Sequence, residues 1–337
     1  METEIFAAAE ICPIDVSKLQ VVKTSDHGLL IPPEKLVFGR NFTDHMLSVE
    51  WTKEDGWHAP RILPYQNLSL DPATCVFHYA FECFEGMKAY KVKMDECFIP
   101  GERGYSLYLR PTLIGTQTTL GISPPESAML FVIASPVGPY YPTGFKAISL
   151  EATNYAVRAW PGGVGDKKLG ANYAPCVLPQ KEAASRGHQQ NLWLFGEEEF
   201  VTEVGTMNMF VAIRTKDGQK ELITAPLDGT ILEGITRDSI LTLARERLAP
   251  EGWVVSERKY TMTEIDQAAR EGRLIEAFGA GTAAIVSPVR TIYWRGKGLN
   301  CGLDQNEEAG EITVKMKEWM EAIQYGDESH EWSYIID

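Results

Sequence analysis

The sequence is poor in basic residues. Among 337 residues it has 32 lysines and arginines against 46 aspartates and glutamates, with a formal net charge of −14 at pH 7. No block of lysines and arginines offsets this charge locally, and an acidic surface repels phosphate. We therefore expect neither nucleic acid nor an anionic membrane surface as a partner. No apolar run is long enough to cross a bilayer.

Cysteine and histidine are also scarce. The sequence lacks CxxC and HExxH motifs, so we do not expect a metal site. Scattered cysteines in a chain of this length predict buried free thiols in a reducing compartment. They are Cys12, Cys75, Cys83, Cys97, Cys176 and Cys301. The first residues, METEIFAAAEICPID, contain acids and no arginine. This predicts a cytoplasmic protein, and a mitochondrial location stays open if the N-terminus is incomplete.

Changes in pattern along the chain predict a two-domain α/β (α+β) fold. The apolar run Ala128–Val137 is typical of a buried strand. GPYYPTGF follows it, and its glycines and prolines predict a linker. Beyond the linker, strands and helices are mixed without strict βαβ order. We predict a small N-terminal domain at residues 1–137, a linker at 138–146 and a large domain at 147–337.

The stretch GAGTAA, Gly279–Ala284, fits the glycine pattern of dinucleotide-binding loops. Such a loop needs a helix directly after it, whereas Ile285, Val286 and Pro288 predict a strand. We therefore interpret this stretch as a tight turn. Its amides and the Thr282 hydroxyl would form a general anion cradle.

Three other stretches allow a chemical role or a plainer structural one. LEGITRDSI, Leu232–Ile240, either begins an ordinary helix or presents the amides of Ile235 and Thr236 to a phosphate. Glu203 stands among apolar residues, so it forms an ion pair with an arginine or holds a cationic cofactor nitrogen. The lysine pair in GGVGDKKLGANY, Gly162–Tyr173, either lies in a solvated turn or meets a planar ligand, as a nucleophilic lysine would.

Taken together, these stretches resemble fold-type IV pyridoxal-phosphate enzymes, specifically the branched-chain amino-acid aminotransferases. The matching blocks follow the family's order and cover most of the chain. They are FGRNFTDHMLSVEW, FHYAFECFEGMKAY, GYSLYLRPTLIGT, RAWPGGVGDKKLGANY, TEVGTMNMF, LEGITRDSI and FGAGTAAIVSPV. The resemblance implies the two-domain fold of D-amino-acid-aminotransferase-like enzymes and the cofactor pyridoxal 5'-phosphate.

The resemblance implies a cofactor role for seven residues. Lys168 aligns with the lysine that forms a Schiff base with the cofactor. Glu203 aligns with the carboxylate that keeps the pyridine nitrogen protonated, so that the ring accepts electrons. Tyr173 matches a tyrosine bonded to the ring oxygen. The remaining cofactor positions are Arg158 beside the ring and Ile235, Thr236 and Thr282 at the phosphate.

The resemblance also implies the reaction. The family transfers the amino group of leucine, isoleucine or valine to 2-oxoglutarate by a ping-pong mechanism, and its members form homodimers. Five aromatic residues match the substrate site, although each alone would be interpreted as core. They are Phe38, Tyr79, Phe84, Tyr108 and Tyr140. Arg110 resembles the arginine for the second carboxylate of glutamate, and Thr282 and Ala283 lie in the turn that meets the substrate carboxylate.

The chain departs from the family pattern in two places. Ala284 and Ser287 stand where animal members carry a CxxC, so we expect no thiol switch of that type. The small domain is truncated between residues 91 and 105, where members have several dozen residues and an arginine for the phosphate. Arg103 is a candidate replacement if its loop folds inward. The truncation is natural or a gene-model error, and it leaves two alternatives: a weakly active or inactive paralogue, and a fold-type IV lyase.

Overall fold

The computed structural model describes residues 13–90, 98, 100–140 and 144–334. The chain divides into two compact units. The first unit comprises Met1–Ala89 and Leu107–Val137, and the second comprises Tyr90–Ser106 and Gly138–Asp337. The predicted domain bounds, 1–137 and 147–337 with a linker at 138–146, stay a prediction. Part of the predicted linker, 141–143, lies outside the described residues.

The first unit is built on a mixed sheet of eight strands in the order β1-β4-β2-β8-β7-β5, with β3 on β2 and β6 on β7. The strands are β1 (Gln20–Val21), β2 (His45–Thr52), β3 (Gly56–Trp57), β4 (Arg61–Pro64), β5 (Glu82–Phe84), β6 (Met87–Ala89), β7 (Ser106–Gly115) and β8 (Ser127–Val137). Among its described residues, the first unit also contains the helix α1 (Cys75–Tyr79) and 3-10 turns at Val16–Lys18 and Pro33–Lys35. β8 contains the apolar run, which confirms the predicted strand.

The second unit contains nine strands in the order β11-β10-β9-β16-β15-β12-β13-β14, with β17 on β16. They are β9 (Ile148–Thr153), β10 (Gln190–Phe195), β11 (Phe200–Val204), β12 (Met207–Arg214), β13 (Lys220–Thr224), β14 (Trp253–Glu257), β15 (Leu274–Gly281), β16 (Ile285–Trp294) and β17 (Lys297–Asn300). Because β11 also pairs with β12, six strands close into a ring. They are β11, β10, β9, β16, β15 and β12.

Five α-helices of the second unit lie within the described residues. They are α2 (Gly170–Tyr173), α3 (Val177–Ser185), α4 (Ile235–Arg247), α5 (Met262–Arg270) and α6 (Glu311–Gln324), with 3-10 turns at Ala174–Cys176 and Ala249–Glu251. The N-terminus of α5 is capped by a side chain, since the Thr261 hydroxyl accepts the Glu264 amide at 3.1 Å. After Gly281 the chain forms β16 rather than a helix, which confirms that GAGTAA is not a dinucleotide-binding loop.

Alternation along β12 separates the core of the second unit into two layers. Met209, Val211 and Ile213 pack into one cluster. Phe210 and Ala212 point to the opposite face and pack into a second cluster with residues of α4 and α6. The face of β12 that carries its even-numbered residues is therefore the face toward α4. This assignment decides where the polar residues at the start of β12 point.

The cysteine prediction is wrong at one position. Cys75 and Cys301 are buried and Cys176 is half-buried, but Cys83 is exposed, because it lies on the short strand β5 with its side chain outward. Cys12 and Cys97 lie outside the described residues. Within the described ranges, no cluster of three or more metal-ligating side chains is found. No helix in the described part of the chain has the length and apolar character that crossing a membrane requires.

Candidate active site

The two adjacent lysines lie in different environments. The Lys167 side chain is 61% exposed, and its ammonium donates to Asp166 at 2.7 Å. Lys168 is half-buried. Its Nζ donates to the Tyr173 hydroxyl at 3.5 Å and lies 5.4 Å from the centre of that tyrosine's ring. Lys167 therefore fits the solvated-turn interpretation, while Lys168 and Tyr173 lie together as the resemblance implies.

The loop before Lys168 is held by backbone contacts. The Asn172 side-chain amide donates to the carbonyls of Val164 and Lys167 at 2.7 and 2.8 Å. A Cβ on Gly165 would overlap that of Ala159, so this glycine lets two chain segments pack closely. The sequence left open whether this glycine-rich loop meets a planar ligand. At Gly165 the reason for a glycine is the close approach of Ala159.

Glu203 is a buried carboxylate on β11. Its Oε2 forms an ion pair with Arg158 Nε at 2.6 Å, and the two side chains are 2% and 3% exposed. Its Oε1 accepts the Leu232 amide at 2.8 Å and, more weakly, the Asn208 side-chain amide at 3.4 Å. Burial raises the pKa of Glu203, and Arg158, the Leu232 amide and Lys168 act in the opposite direction. The ion pair that the plainer interpretation predicted is thus formed with another predicted site residue.

Register across three neighbouring strands assembles this part of the site. Glu203 on β11 lies opposite Asn208 on β12, and Asn208 lies opposite Ala280 on β15. Thr282 follows two residues after Ala280, in the turn between β15 and β16, and is half-buried with Ala283. The carboxylate and the glycine turn therefore lie at the same end of adjacent strands.

Helix α4 begins beside Asn208. Its N-cap is Gly234, which has no side chain, so no side-chain cap bond is formed there. Ile235 is 80% exposed and Thr236 is buried, so the first turn offers amides beside a buried hydroxyl-bearing residue. Asn208 Nδ2 donates to the Leu232 carbonyl at 2.9 Å, which ties β12 to the segment leading into α4.

Asn208 is the residue that the sequence did not single out. It is 4% exposed, stands on the α4 side of β12 and contacts both Glu203 and the Leu232 segment. The available signal was a lone amide in the apolar strand MNMFVAIR, since a buried polar side chain needs partners.

The first unit brings four of the predicted substrate residues into one cluster. Tyr108 meets the Phe38 ring edge-on at 5.1 Å between centroids, and its hydroxyl accepts Arg110 Nη2 at 3.0 Å. The Arg110 guanidinium lies 4.7 Å from the centre of the Phe84 ring. Tyr108 and Arg110 are two apart on β7, so both point to one face.

The two remaining predicted aromatic residues are Tyr79 and Tyr140. The Tyr79 hydroxyl donates to the Leu120 carbonyl, and its ring meets Phe81 at 6.1 Å. Tyr140 is half-buried and belongs to the second unit. The substrate role of both residues stays a prediction.

The strands on either side of the predicted truncation are neighbours. β6 and β7 pair antiparallel, with Lys88 opposite Tyr108. Residues 91–97 and 99 lie outside the described residues. Arg103 forms an ion pair with Asp327 and lies over the Tyr325 ring. The condition for its phosphate role, an inward fold, is therefore not met, because its charge is directed at the C-terminal segment.

The sequence matches a known protein family over most of its length. The family model "Amino-transferase class IV" matches residues 88–292, more than half of the chain. The chain belongs to the class IV aminotransferases. It is similar to the cytosolic branched-chain-amino-acid aminotransferase of Saccharomyces cerevisiae, with 52% identity covering 97% of this chain and 98% of that protein. The mitochondrial enzyme of the same yeast is 51% identical, covering 96% of this chain and 94% of that protein.

A solved structure matches the fold of this aminotransferase. It is the T.th. branched-chain amino acid aminotransferase with pyridoxamine 5'-phosphate, at a TM-score of 0.62 and 25% identity, covering 83% of this chain and 95% of that one. This confirms the predicted fold-type IV class. The alignment with the yeast cytosolic enzyme spans 370 positions, more than the 337 residues here. Part of that relative thus has no counterpart in this chain, and its location between 91 and 105 stays a prediction.

Proposed function

We propose that this chain transfers the amino group of leucine, isoleucine and valine to 2-oxoglutarate, with pyridoxal 5'-phosphate as cofactor. The observation that carries the proposal is the buried Glu203 carboxylate, which Arg158 binds together with the Gly165 carbonyl of the loop that leads to Lys168. In the same loop, Lys168 Nζ donates to the Tyr173 hydroxyl. A lysine, a tyrosine and a buried acid so arranged fit one flat, phosphorylated, cationic ligand. The high similarity to enzymes named branched-chain aminotransferases supports the substrate class.

The residues present fit the cofactor. A carboxylate has about four acceptor positions. The described donors at Glu203 are Arg158, Leu232 and Asn208, which leaves capacity for a ring N–H. The start of α4, with Gly234 as N-cap and a buried Thr236, fits a phosphate.

When bound, this cofactor supplies an electron sink that stabilises negative charge at the substrate α-carbon. The chain's own groups do the rest. Glu203 would accept the N–H of the ring nitrogen and so favour its charged form. Lys168 would hold the cofactor and would move a proton to and from the substrate α-carbon. Tyr173, whose hydroxyl accepts Lys168 Nζ at 3.5 Å, would orient the lysine.

Substrate recognition is assigned to the first unit's cluster together with Tyr79, Tyr140, Thr282 and Ala283. The rings of Phe38, Phe84 and Tyr108 suit an aliphatic side chain. Arg110 suits the second carboxylate of glutamate or 2-oxoglutarate. One enzyme handling both ligands in turn should show ping-pong kinetics, with parallel lines in double-reciprocal plots.

The test compares wild type with Lys168→Ala and Lys167→Ala. Wild type incubated with pyridoxal 5'-phosphate should show a visible absorption band and form glutamate from leucine and 2-oxoglutarate. Lys168→Ala should lose both, whereas Lys167→Ala, which removes the exposed neighbour, should keep both. A band that survives Lys168→Ala would contradict the assignment.

The same samples separate the two alternatives. A folded wild-type chain that stays colourless with the cofactor would indicate a non-catalytic paralogue. Release of pyruvate from aminodeoxychorismate without an amino acceptor would indicate a lyase. The near-full-length similarity to named transaminases favours transamination over both.

We further propose a cytoplasmic homodimer. One similar relative is named cytosolic and another mitochondrial. Light scattering after size-exclusion chromatography would give the oligomeric state, and tagging of the native chain in cells would give the location.

A further inference from the structure

Arg158 binds three segments of the second unit at once. Its Nε pairs with Glu203 on β11 at 2.6 Å. Its Nη1 donates to the Gly165 carbonyl, three residues before Lys168, and to the Thr230 carbonyl, four residues before Gly234, both at 3.2 Å. These acceptors belong to strand β11, which carries Glu203, to the loop before Lys168 and to the segment that leads into α4.

We propose that Arg158 is a positioning residue that acts through Glu203, rather than a ligand that touches the cofactor. Its guanidinium fixes the carboxylate relative to the loop of Lys168. This inference rests on the proposed function, and it changes the role of Arg158 that the family resemblance implies.

The geometry suits arginine in particular. A guanidinium projects several donors in fixed directions and keeps its charge, whereas a lysine offers one compact ammonium. The Arg158 side chain is 3% exposed, so its described bonds to one carboxylate and two carbonyls account for its charge and several of its donors. A lysine could restore the charge beside Glu203 but not the bonds to both loops.

Charge makes the coupling specific to Glu203. Burial favours the neutral acid, and Arg158 is the largest influence that opposes burial. Two other titratable groups interact with this pair. The charge of Lys168 lowers the pKa of Glu203. The pKa of the Cys176 thiol is raised by burial and by Glu203 and lowered by Arg158. Removal of Arg158 should therefore shift the acid toward its neutral form, which would hold a charged ring nitrogen less well.

The experiment is a double-mutant cycle on cofactor affinity. It uses Arg158→Met, Glu203→Gln and the double variant, with pyridoxal 5'-phosphate titrated into the cofactor-free full-length chain. Arg158→Met should weaken binding by about 30-fold or more, as for other truncated buried charge pairs. In the Glu203→Gln background the same change should have little effect, because the group through which Arg158 acts is already gone. Equal losses in both backgrounds would show direct contact with the cofactor and overturn the proposal.

A second cycle covers the case in which Arg158→Met does not fold. Arg158→Lys keeps the charge, so it should fold and weaken binding by a smaller factor, again only when Glu203 is present. The pH dependence of the visible band should shift in Arg158→Lys and not in the exposed control Lys167→Ala. The proposal would also be overturned if Arg158→Lys left both the affinity and the pH dependence unchanged and its effect were the same with Glu203 and with Glu203→Gln.

Unfolding of the cofactor-free variants gives a readout that does not depend on the proposed function. Arg158→Met should lower the urea midpoint more when Glu203 is intact than in the Glu203→Gln background. Equal shifts would refute the coupling. A wild-type chain that binds no cofactor yet shows this coupling would refute the proposed function and leave the ion-pair role of Arg158 standing.

Discussion

Glu203 and Asn208 lie directly opposite each other on the antiparallel strands β11 and β12. Opposite residues in such a ladder point to the same face. That face of β12 is turned toward α4, because Phe210 and Ala212 on it pack with α4 residues. The acid proposed for the ring nitrogen and the amide that contacts the segment before α4 therefore share one face. The β11–β12 hairpin therefore connects Glu203, proposed for the ring nitrogen, to the segment before α4, proposed for the phosphate.

This relationship predicts the effect of a methyl group at Gly234. A Cβ there would overlap Asn208 Oδ1, although the backbone of Gly234, at φ −72°, suits any residue. Gly234→Ala should push Asn208 away from the Leu232 carbonyl and weaken binding of pyridoxal 5'-phosphate about tenfold to a hundredfold, the usual effect of 1–3 kcal/mol of crowding. Titration of the cofactor-free chain measures this affinity.

Two variants make that prediction specific. Gly298→Ala, on β17, adds a methyl group at an ordinary contact distance of 3.4 Å and should leave affinity unchanged. Adding Asn208→Ala to Gly234→Ala should recover part of the loss, because the overlapping side chain is removed. No recovery would mean that Asn208 is not the obstacle.

The sequence predicts the local elements of the second unit well. α4 begins in the predicted stretch LEGITRDSI and a strand follows GAGTAA as predicted, because both depend on the properties of neighbouring residues. The ring of strands does not follow in this way, since closure depends on β11 pairing with both β10 and β12. Nothing in the local pattern of β11 specifies two partners.

The site shows the same limit. An acid among apolar residues predicts a partner for Glu203, but the partner, Arg158, is 45 positions away and could be identified only from the fold. Asn208 carries the same kind of signal and was missed because one amide in a strand has many explanations. Arg103 was considered for the phosphate because its loop was unknown, and the structure directs it to Asp327 instead.

Two glycines in the left-handed region should differ in their tolerance of alanine. Gly302 has φ +84° and a Cβ there would overlap the Ile275 carbonyl, whereas Gly296 has φ +76° and open space around it. Gly296→Ala should cost about 1–2 kcal/mol from backbone strain alone. Gly302→Ala should cost roughly 2–5 kcal/mol, because the overlapped atom is backbone and cannot rotate away.

Urea unfolding of both variants under one buffer condition measures this difference. The comparison is matched because both positions have a similar φ and both lie in the second unit. Equal losses would show that strand β15 yields to the methyl group, contrary to the overlap.

Stability should depend on pH through Glu257. This acid accepts Arg245 at 2.6 Å and the buried Arg237 at 2.7 Å. The bond from Arg245, and then that from Arg237, hold the pKa of Glu257 below its ordinary value of 4.5. A lowered folded-state pKa gives stability that is present above the unfolded value and is lost as pH falls through the folded value.

Glu257→Gln should therefore lower the unfolding free energy at pH 7 by roughly 1–2 kcal/mol, a figure reduced because the acid is partly exposed. The difference from wild type should shrink as the pH falls below 4.5, where the unfolded acid is protonated. Urea titrations at several pH values test this, with Glu246→Gln, an exposed acid on α4, as the control. A difference that does not change with pH would mean that the charge of Glu257 is not what stabilises the fold.

Arg110 should separate the two half-reactions. Its Nη2 donates to the Tyr108 hydroxyl at 3.0 Å, and its guanidinium lies over Phe84, so the charge is held beside an apolar surface. Arg110→Met should lower kcat/KM for 2-oxoglutarate about tenfold to a hundredfold, the value of one charge-assisted hydrogen bond, because the second carboxylate loses its partner. The leucine half-reaction should change little, since the leucine side chain needs only the aromatic rings.

Single-turnover absorbance with each substrate measures the two half-reactions separately, and Arg61→Met, at an exposed position of β4, serves as the control. Equal losses for leucine and 2-oxoglutarate would assign Arg110 to the packing of its cluster instead of to carboxylate recognition.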